Sequence, residues 1–195
     1  MRPFVARFLL ALLGGSLTLA CNDGTSPTDA VQPSFKAGGR SGFGFNGSVS
    51  GFPTGAVRLT GGGSFDPSSA SNIVPTETSV SSAGGFDCSR TVAQGPLAGC
   101  AAGEGVRWDT AQQLASTSFM CTGSDAAKPA VTGAHTAVLL ADFYRAGDGN
   151  DESFTAQVIV SDGDLASDIA GVQNLWVQGV GCGTAIVHFN QQVVV

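Results

Sequence analysis

Apolar residues recur at every second position along much of the chain after about residue 39, which is the period of a β-strand and not of a helix. In the clearest case Phe154, Ala156, Val158 and Val160 are apolar at alternate positions, as expected for a strand with one buried face. Shorter segments of the same kind, separated by turn-forming residues, begin near Phe43, Val57, Val106, Leu114, Asn174 and Ala185. The pattern predicts a single all-β domain over residues 39–195, built as an antiparallel β-sandwich or barrel.

One hairpin can be predicted in more detail. The segment Thr136–Arg145 is apolar on both of its faces, as expected for a strand that is covered on both sides. The run Ala146–Asp151 consists of turn-forming residues and separates this segment from the strand that begins at Phe154. We therefore expect the two strands to pair as antiparallel neighbours.

The rest of the domain is expected to consist of long loops, with at most one short helix. Gly61–Ser64 and Asp66–Ser82 are rich in Gly, Ser and Thr and low in apolar residues, which predicts surface loops. Asp164–Gln173 carries three apolar residues at helical spacing behind an aspartate that could cap a helix. This segment predicts one or two helical turns.

The first 20 residues have the composition of a secretory signal peptide. Arg2 and Arg7 provide positive charge, and the stretch Phe8–Ala20 is apolar or small. That stretch is 13 residues long, whereas a helix that spans a membrane needs about 20. The sequence therefore predicts export, with residues 1–20 as a signal peptide and not as a permanent membrane span.

The residues Leu17-Thr18-Leu19-Ala20-Cys21 at the end of this segment resemble the lipobox of bacterial lipoprotein precursors, although Thr18 stands where that family prefers Leu. The resemblance implies that the Cys21 thiol receives a diacylglyceryl group, that the signal is cut just before Cys21 and that the new amino terminus is acylated. Residues 21–38 are polar and contain proline, which predicts a flexible tether between the lipid and the domain. The expected location is the bacterial envelope, anchored to a membrane through this lipid. The alternative is an ordinary signal peptide cut after Ala20 and a soluble secreted protein.

The four remaining cysteines are Cys88, Cys100, Cys121 and Cys182. An even number of cysteines in a small exported domain favours disulfide bonds. Three pairings are open; we favour Cys88–Cys100, which closes a short loop rich in Gly and Pro, and Cys121–Cys182, which ties the middle of the domain to its last strand. A zinc site is disfavoured because the sequence contains no Cys-x-x-Cys pair.

The charge of the chain narrows the classes of partner. The formal net charge is −6 and the isoelectric point is about 4.6, which argues against a nucleic-acid binder. Hydrophobic residues make up 43% of the chain and charged residues only 12%, which excludes a strongly charged disordered protein. A protein or carbohydrate ligand remains a candidate, and no nucleic-acid partner is expected.

The turn before the Phe154 strand offers one candidate metal site. Asp148, Asn150 and Glu152 alternate in a loop, and their oxygen atoms suit calcium. The spacing resembles the opening of an EF-hand loop, but Ser153 stands where that loop has glycine, and Ile159 where it ends in an acidic residue. The alternative is a solvated, charged hairpin tip. No other cofactor is expected.

Neither histidine is placed as a catalytic residue would be. His135 lies in a loop and His188 on the outer face of the last strand, and no Gly-x-Ser-x-Gly motif accompanies them. Both are therefore expected to be surface residues. Exposed aromatic residues could form a contact surface for carbohydrate or protein, whereas Trp108 is expected in the core.

Acidic side chains are the other candidates for chemistry, because a pair of carboxylates can hydrolyse glycosides. Those considered are Asp87, Glu104, Asp109 and Asp142. Asp142 interrupts an otherwise apolar strand, so it is expected to be buried in an ion pair with Arg107 or Arg145.

The sequence thus favours an exported, lipid-anchored β-domain of the bacterial envelope with a binding or structural role that is not catalytic. The alternative is a small secreted hydrolase that acts on envelope or extracellular polymer through acidic residues. Two carboxylates in a cleft would favour the hydrolase, and a closed, filled domain would favour the binding role.

Overall fold

A computed structural model describes residues 40–51, 55–73, 80–147 and 151–191. The strands in these ranges are β1 (Ser41–Gly51), β2 (Ala56–Phe65), β3 (Val80–Arg90), β4 (Arg107–Gln113), β5 (Ser116–Phe119), β6 (Lys128–Val131), β7 (Thr136–Tyr144), β8 (Phe154–Ser161), β9 (Leu175–Val177) and β10 (Gly181–Gln191). A 3-10 turn at Pro67–Ser69 begins behind Asp66, whose side chain accepts a hydrogen bond from the Ser68 backbone N–H (2.9 Å). The predicted all-β class is confirmed.

Eight of the described strands close into a barrel in the order β1-β10-β9-β8-β7-β4-β3-β2. Each strand is antiparallel to its neighbours, and β10 closes the barrel by pairing with β1 over its whole length, from Ser41↔Gln191 to Gly51↔Gly181. This is an up-and-down barrel, in which strands that follow one another in the chain lie side by side. We call the end at which β1 begins the lower end and the end at which β1 ends the upper end.

Side chains fill the interior of the barrel. Those with no solvent exposure include Trp108, Phe65, Phe143, Leu139 and Leu175. They come from alternate positions of successive strands, which is the alternation that the sequence pattern predicted. The upper end is closed by the loop between β3 and β4, in which Val92, Leu97 and Cys100 are fully buried.

The predicted hairpin is confirmed, because β7 pairs with β8 from Thr136↔Ser161 to Phe143↔Phe154. The β5–β6 hairpin explains why the sequence of β7 is apolar on both faces. This hairpin forms a separate two-stranded sheet that lies on the outside of the barrel. We call residues 114–132 the flap. Together with Leu165, Ala166 and Ile169 of the loop between β8 and β9, it covers Val138, Ile159 and Trp176 on the outer faces of β7, β8 and β9.

The prediction that Gly61–Ser64 is a loop is wrong, since these residues lie inside β2. Their glycines allow close packing: a Cβ atom on Gly61 would lie 2.6 Å from Cζ2 of Trp108 and 2.6 Å from the carbonyl oxygen of Ala83. The indole of Trp108 occupies the space that larger side chains would fill, and its Nε1–H donates to the carbonyl oxygen of Thr60 (3.1 Å). The predicted loop Asp66–Ser82 also ends early, because β3 begins at Val80.

The predicted helix over 164–173 is also wrong: this segment consists of bends and turns. Its two ends are held together, since the Leu165 N–H donates to the Gln173 carbonyl oxygen (2.7 Å). Oδ1 of Asp164 accepts from the N–H groups of both Ala166 (3.1 Å) and Gln173 (3.0 Å), so it closes a loop and does not cap a helix. Val172 points into solvent with 48% exposure, so the helical spacing does not define one buried face.

The two disulfide bonds join Cys88 to Cys100 and Cys121 to Cys182, which are the favoured pairs. The first fastens the loop that closes the upper end to β3. The second joins the flap to β10. In the part of the chain that the structure describes, none of the segments is a helix of sufficient length and apolarity to cross a membrane.

Candidate functional site

Charged side chains gather in the upper half of the barrel, on the outer faces of β4 and β7 and in the loops that adjoin β4, β7 and β8. The antiparallel register places Asp109 beside Asp142 and Arg107 beside Tyr144. Their chain neighbours Trp108 and Phe143 point into the barrel, so these four side chains point outward. We call the set Glu104, Arg107, Asp109, Asp142, Tyr144, Arg145 and Glu152 the charged patch.

Arg107 organises one half of the charged patch. Its guanidinium donates to Oδ2 of Asp109 (2.9 Å) and lies 3.8 Å above the centre of the Tyr144 ring. The Tyr144 hydroxyl in turn donates to Oδ1 of Asp109 (3.4 Å). The stacked arginine and tyrosine form a partly exposed planar surface with a carboxylate at its edge.

Two pKa values in the charged patch are raised. Burial raises the pKa of the Tyr144 hydroxyl, and the negative charges of Asp109 and Asp142 raise it further. Repulsion by the Asp142 carboxylate raises the pKa of Glu152, with a smaller contribution from a hydrogen bond between the two side chains. Glu152 therefore takes up a proton more readily than an isolated glutamate, because the proton relieves the repulsion.

The prediction that Asp142 is buried in an ion pair with Arg107 or Arg145 is wrong. Asp142 is half-exposed, and its Oδ1 accepts a hydrogen bond from the Thr155 hydroxyl (2.9 Å). Arg107 pairs with Asp109, and Arg145 pairs with Glu104 (3.5 Å). The physical reason is the extent of the flap, which covers β7 at Val138 but leaves the upper part of the strand open to solvent.

The candidate calcium ligands are only partly described. Asp148 and Asn150 lie outside the described residues, whereas Glu152 lies next to Asp142. The described ranges contain no group of three or more His, Cys, Asp or Glu side chains arranged to hold a metal ion. Calcium binding by this turn stays a prediction.

The remaining carboxylate candidate, Asp87, lies apart from the charged patch. It forms a two-pronged salt bridge with Arg58 across the β2–β3 pair, with a closest approach of 2.9 Å. The structure thus brings Glu104, Asp109 and Asp142 of the carboxylate candidates into the charged patch, and it places Glu152, a candidate calcium ligand, next to Asp142. Sequence reasoning missed the stacking of Arg107 on Tyr144, which depends on the pairing of β4 with β7.

Both histidines are at the surface, as predicted. His188 is exposed on the outer face of β10. Nδ1 of His135 lies 2.6 Å from Oδ2 of Asp162, a pairing that the sequence did not reveal. The nearby Ser161 hydroxyl donates to the backbone carbonyl oxygen of His135 (3.2 Å) and not to its ring, so these residues do not form a hydrolytic triad.

The proposed lipidation site, Cys21, the signal peptide and the tether lie outside the described residues. No protein-family model matches the chain, and no curated protein and no solved structure matches it significantly.

Proposed function

We propose that this chain is an exported protein of the bacterial envelope, anchored to a membrane through a lipid on Cys21, and that its β-barrel has a binding or structural role. The observation that carries the proposal is the pair of disulfide bonds, which indicate an oxidising compartment outside the cytoplasm. The positively charged, apolar segment before Cys21 supports export, and the lipobox resemblance supports the anchor.

The shape of the barrel supports binding over catalysis. Its interior is filled by Trp108, Phe143 and other apolar side chains, so a substrate would have to be held on the outside. Asp109 and Asp142 stand half-exposed on the convex outer face, where water screens them, and hydrolases usually hold such groups in a cleft.

The charged patch is the contact surface that we propose. Arginine and tyrosine are enriched where proteins bind partners, and their flat groups also stack on sugars. Arg107 and Tyr144 are already stacked on each other, so little side-chain entropy is lost when a ligand covers them. The proposed ligand is a protein or a carbohydrate of the envelope.

The anchor is tested by expressing the full chain and a Cys21→Ser variant in a bacterium and by separating membrane from soluble fractions. We expect the natural chain in the membrane fraction and the variant in the soluble exported fraction. Cys121→Ser is a control for thiol loss and should remain in the membrane fraction. Equal distribution of the natural chain and the Cys21→Ser variant would contradict the anchor.

The contact surface is tested by sedimentation of the purified barrel with isolated cell-wall polymer and, separately, with solubilised envelope proteins. Tyr144→Ala should weaken binding at least several-fold, because it removes the stacked ring. Arg58→Ala is the matched control, since Arg58 is an exposed arginine in a salt bridge outside the charged patch. If the two variants bind alike, the proposed surface is wrong.

The hydrolase alternative is supported by Asp142 and Glu152, since proximity and a raised pKa are common in catalytic carboxyl pairs. It is tested by incubating the barrel with cell-wall and extracellular polysaccharide and measuring the release of reducing ends. Release by the natural chain that is lost in Glu152→Gln would establish the alternative. Equal release by the natural chain and this variant would exclude a role for Glu152 in catalysis.

A further inference from the structure

The flap is attached to the barrel differently at its base and at its tip. At the base the Leu114 N–H donates to the Val138 carbonyl oxygen (2.9 Å), and the Thr132 hydroxyl bridges the Leu114 carbonyl oxygen (2.6 Å) and the Val138 N–H (3.1 Å). These bonds lie where the flap follows β4 in the chain and where it leads into β7. The base is therefore fixed to β7 by hydrogen bonds that do not depend on the tip, and it can serve as a hinge.

The tip of the flap lies beyond the end of β5 at Phe119 and depends on side chains. The Cys121–Cys182 bond joins it covalently to β10. The ammonium group of Lys128 lies 2.5 Å from Oδ2 of Asp168, and the Phe119 ring packs against Trp176 with 6.0 Å between ring centres. The disulfide is thus the one covalent attachment among these contacts at the tip.

The two disulfides differ in their surroundings. Cys88 and Cys100 have no solvent exposure and belong to the main core. Cys121 and Cys182 are also buried, with 3% and 6% exposure, but they line a groove at the surface together with Ser48, Ser50, Thr122 and Gln173. A reductant in this groove needs only a local movement to reach the buried Cys121–Cys182 bond, whereas the barrel must open before a reductant reaches the other bond.

From these observations we propose that the Cys121–Cys182 bond is a redox latch, which a dithiol reductant opens to release the flap from the barrel. A thiolate of the dithiol attacks one sulfur of the bond and forms a mixed disulfide, while the other cysteine leaves as a thiolate and takes up a proton. The second thiol of the reductant then loses its proton and displaces the first cysteine. The reductant ends as a disulfide, and Cys121 and Cys182 end as thiols.

Release of the flap uncovers an apolar surface on the outside of the barrel. Val138 and Ile159 are fully buried beneath the flap, and Trp176 is 6% exposed. The barrel itself keeps its strand pairing and the Cys88–Cys100 bond. The reduced state is therefore a folded barrel with a new apolar face on its outside.

The test is partial reduction of the purified, oxidised protein with dithiothreitol at increasing times, followed by alkylation and peptide mass mapping. We expect Cys121 and Cys182 to be labelled on the order of ten-fold faster than Cys88 and Cys100, because a local movement at the groove is enough to expose them and unfolding of the barrel is not needed. Equal labelling rates, or faster labelling of Cys88 and Cys100, would overturn the proposal.

The opening itself is followed by acrylamide quenching of tryptophan fluorescence, since the chain has two tryptophans and only Trp176 lies beneath the flap. Partial reduction should increase quenching while the far-ultraviolet circular dichroism stays unchanged, and Trp176→Phe should abolish the increase. Unchanged quenching after Cys121 and Cys182 are labelled, or loss of the β-sheet signal, would contradict the latch. The order of labelling is measured on the natural chain, so this test does not depend on whether a Cys121→Ser/Cys182→Ser variant folds. The latch needs an oxidising compartment but not the lipid anchor, so soluble protein suffices for this test.

Discussion

Replacement of Trp108 by phenylalanine tests how the barrel closes around its glycine-rich strands. Trp108 has no solvent exposure, and its ring centre lies 5.8 Å from that of Phe45. Phenylalanine keeps an aromatic ring in this position but removes the N–H that donates to Thr60 and the part of the indole that lies against Gly61.

The expected cost follows from these two losses. The hydrogen bond to Thr60 contributes about 1 kcal/mol, because its loss leaves a buried carbonyl oxygen less well satisfied. The ring atoms that are removed correspond to about two buried methylene groups at about 0.8 kcal/mol each. Trp108→Phe should therefore lower the free energy of unfolding by about 2.5–3 kcal/mol. For a domain of this size that corresponds to a fall in Tm of about 5–12 °C.

A second substitution at the contact makes the prediction specific. Gly61→Ala should destabilise the natural chain by about 1–3 kcal/mol, since its Cβ would lie within 2.6 Å of Trp108 Cζ2. In the Trp108→Phe background part of this clash is gone, so the double variant should cost at least about 0.5 kcal/mol less than the sum of the two single changes. Gly85→Ala, whose Cβ would meet nothing closer than 3.5 Å, is the control within the sheet.

The assay is urea unfolding of the oxidised protein, followed by circular dichroism, for the natural chain, the two single variants, the double variant and the control. The reasoning is refuted if Trp108→Phe costs less than about 1 kcal/mol, or if the two changes add within about 0.3 kcal/mol. It is also refuted if Gly85→Ala is as costly as Gly61→Ala.

Three further predictions concern ionisation. Asp142 raises the pKa of Glu152 above the usual value of 4.5, so repulsion between the two carboxylates should lower Tm as the pH rises through that pKa. Glu152→Gln should flatten this decline of Tm with pH. A decline parallel to that of the natural chain would contradict the prediction. The hydrogen bond from Lys128 lowers the pKa of Asp168, so the stabilisation that this ion pair provides should vanish as the pH falls through the lowered pKa. The Tm of Asp168→Asn should therefore match that of the natural chain only below this pKa. Tyr144, the single tyrosine, should titrate by ultraviolet absorbance above its usual pKa of 10.0 and nearer to it in Asp109→Asn.

The features that were predicted correctly from the sequence depend on residues that are close together in the chain. The alternation of Phe154, Ala156, Val158 and Val160 is a local consequence of the pleat, so it indicates a strand without knowledge of its neighbours. The β7–β8 hairpin could be predicted for the same reason, because a short turn forces its two strands to pair.

The features that were missed depend on distant residues. Gly61–Ser64 forms a strand because Trp108, from another part of the chain, fills the space beside it. Asp142 is half-exposed because the flap stops short of it. The contacts of the charged patch follow from the β4–β7 register and its irregularity between Thr110 and Gln112, which no local pattern reveals.

The central claim of the account is that the chain leaves the cytoplasm, is processed at Cys21 and folds with both disulfides formed. Its most direct test is the intact mass of the protein purified from its native host, measured with and without thiol alkylation under denaturing conditions. We expect a mass that lacks residues 1–20 and includes acyl chains, with no alkylation of Cys88, Cys100, Cys121 or Cys182 before reduction. A soluble species that retains residues 1–20 and is alkylated at all four of these cysteines would contradict the claim.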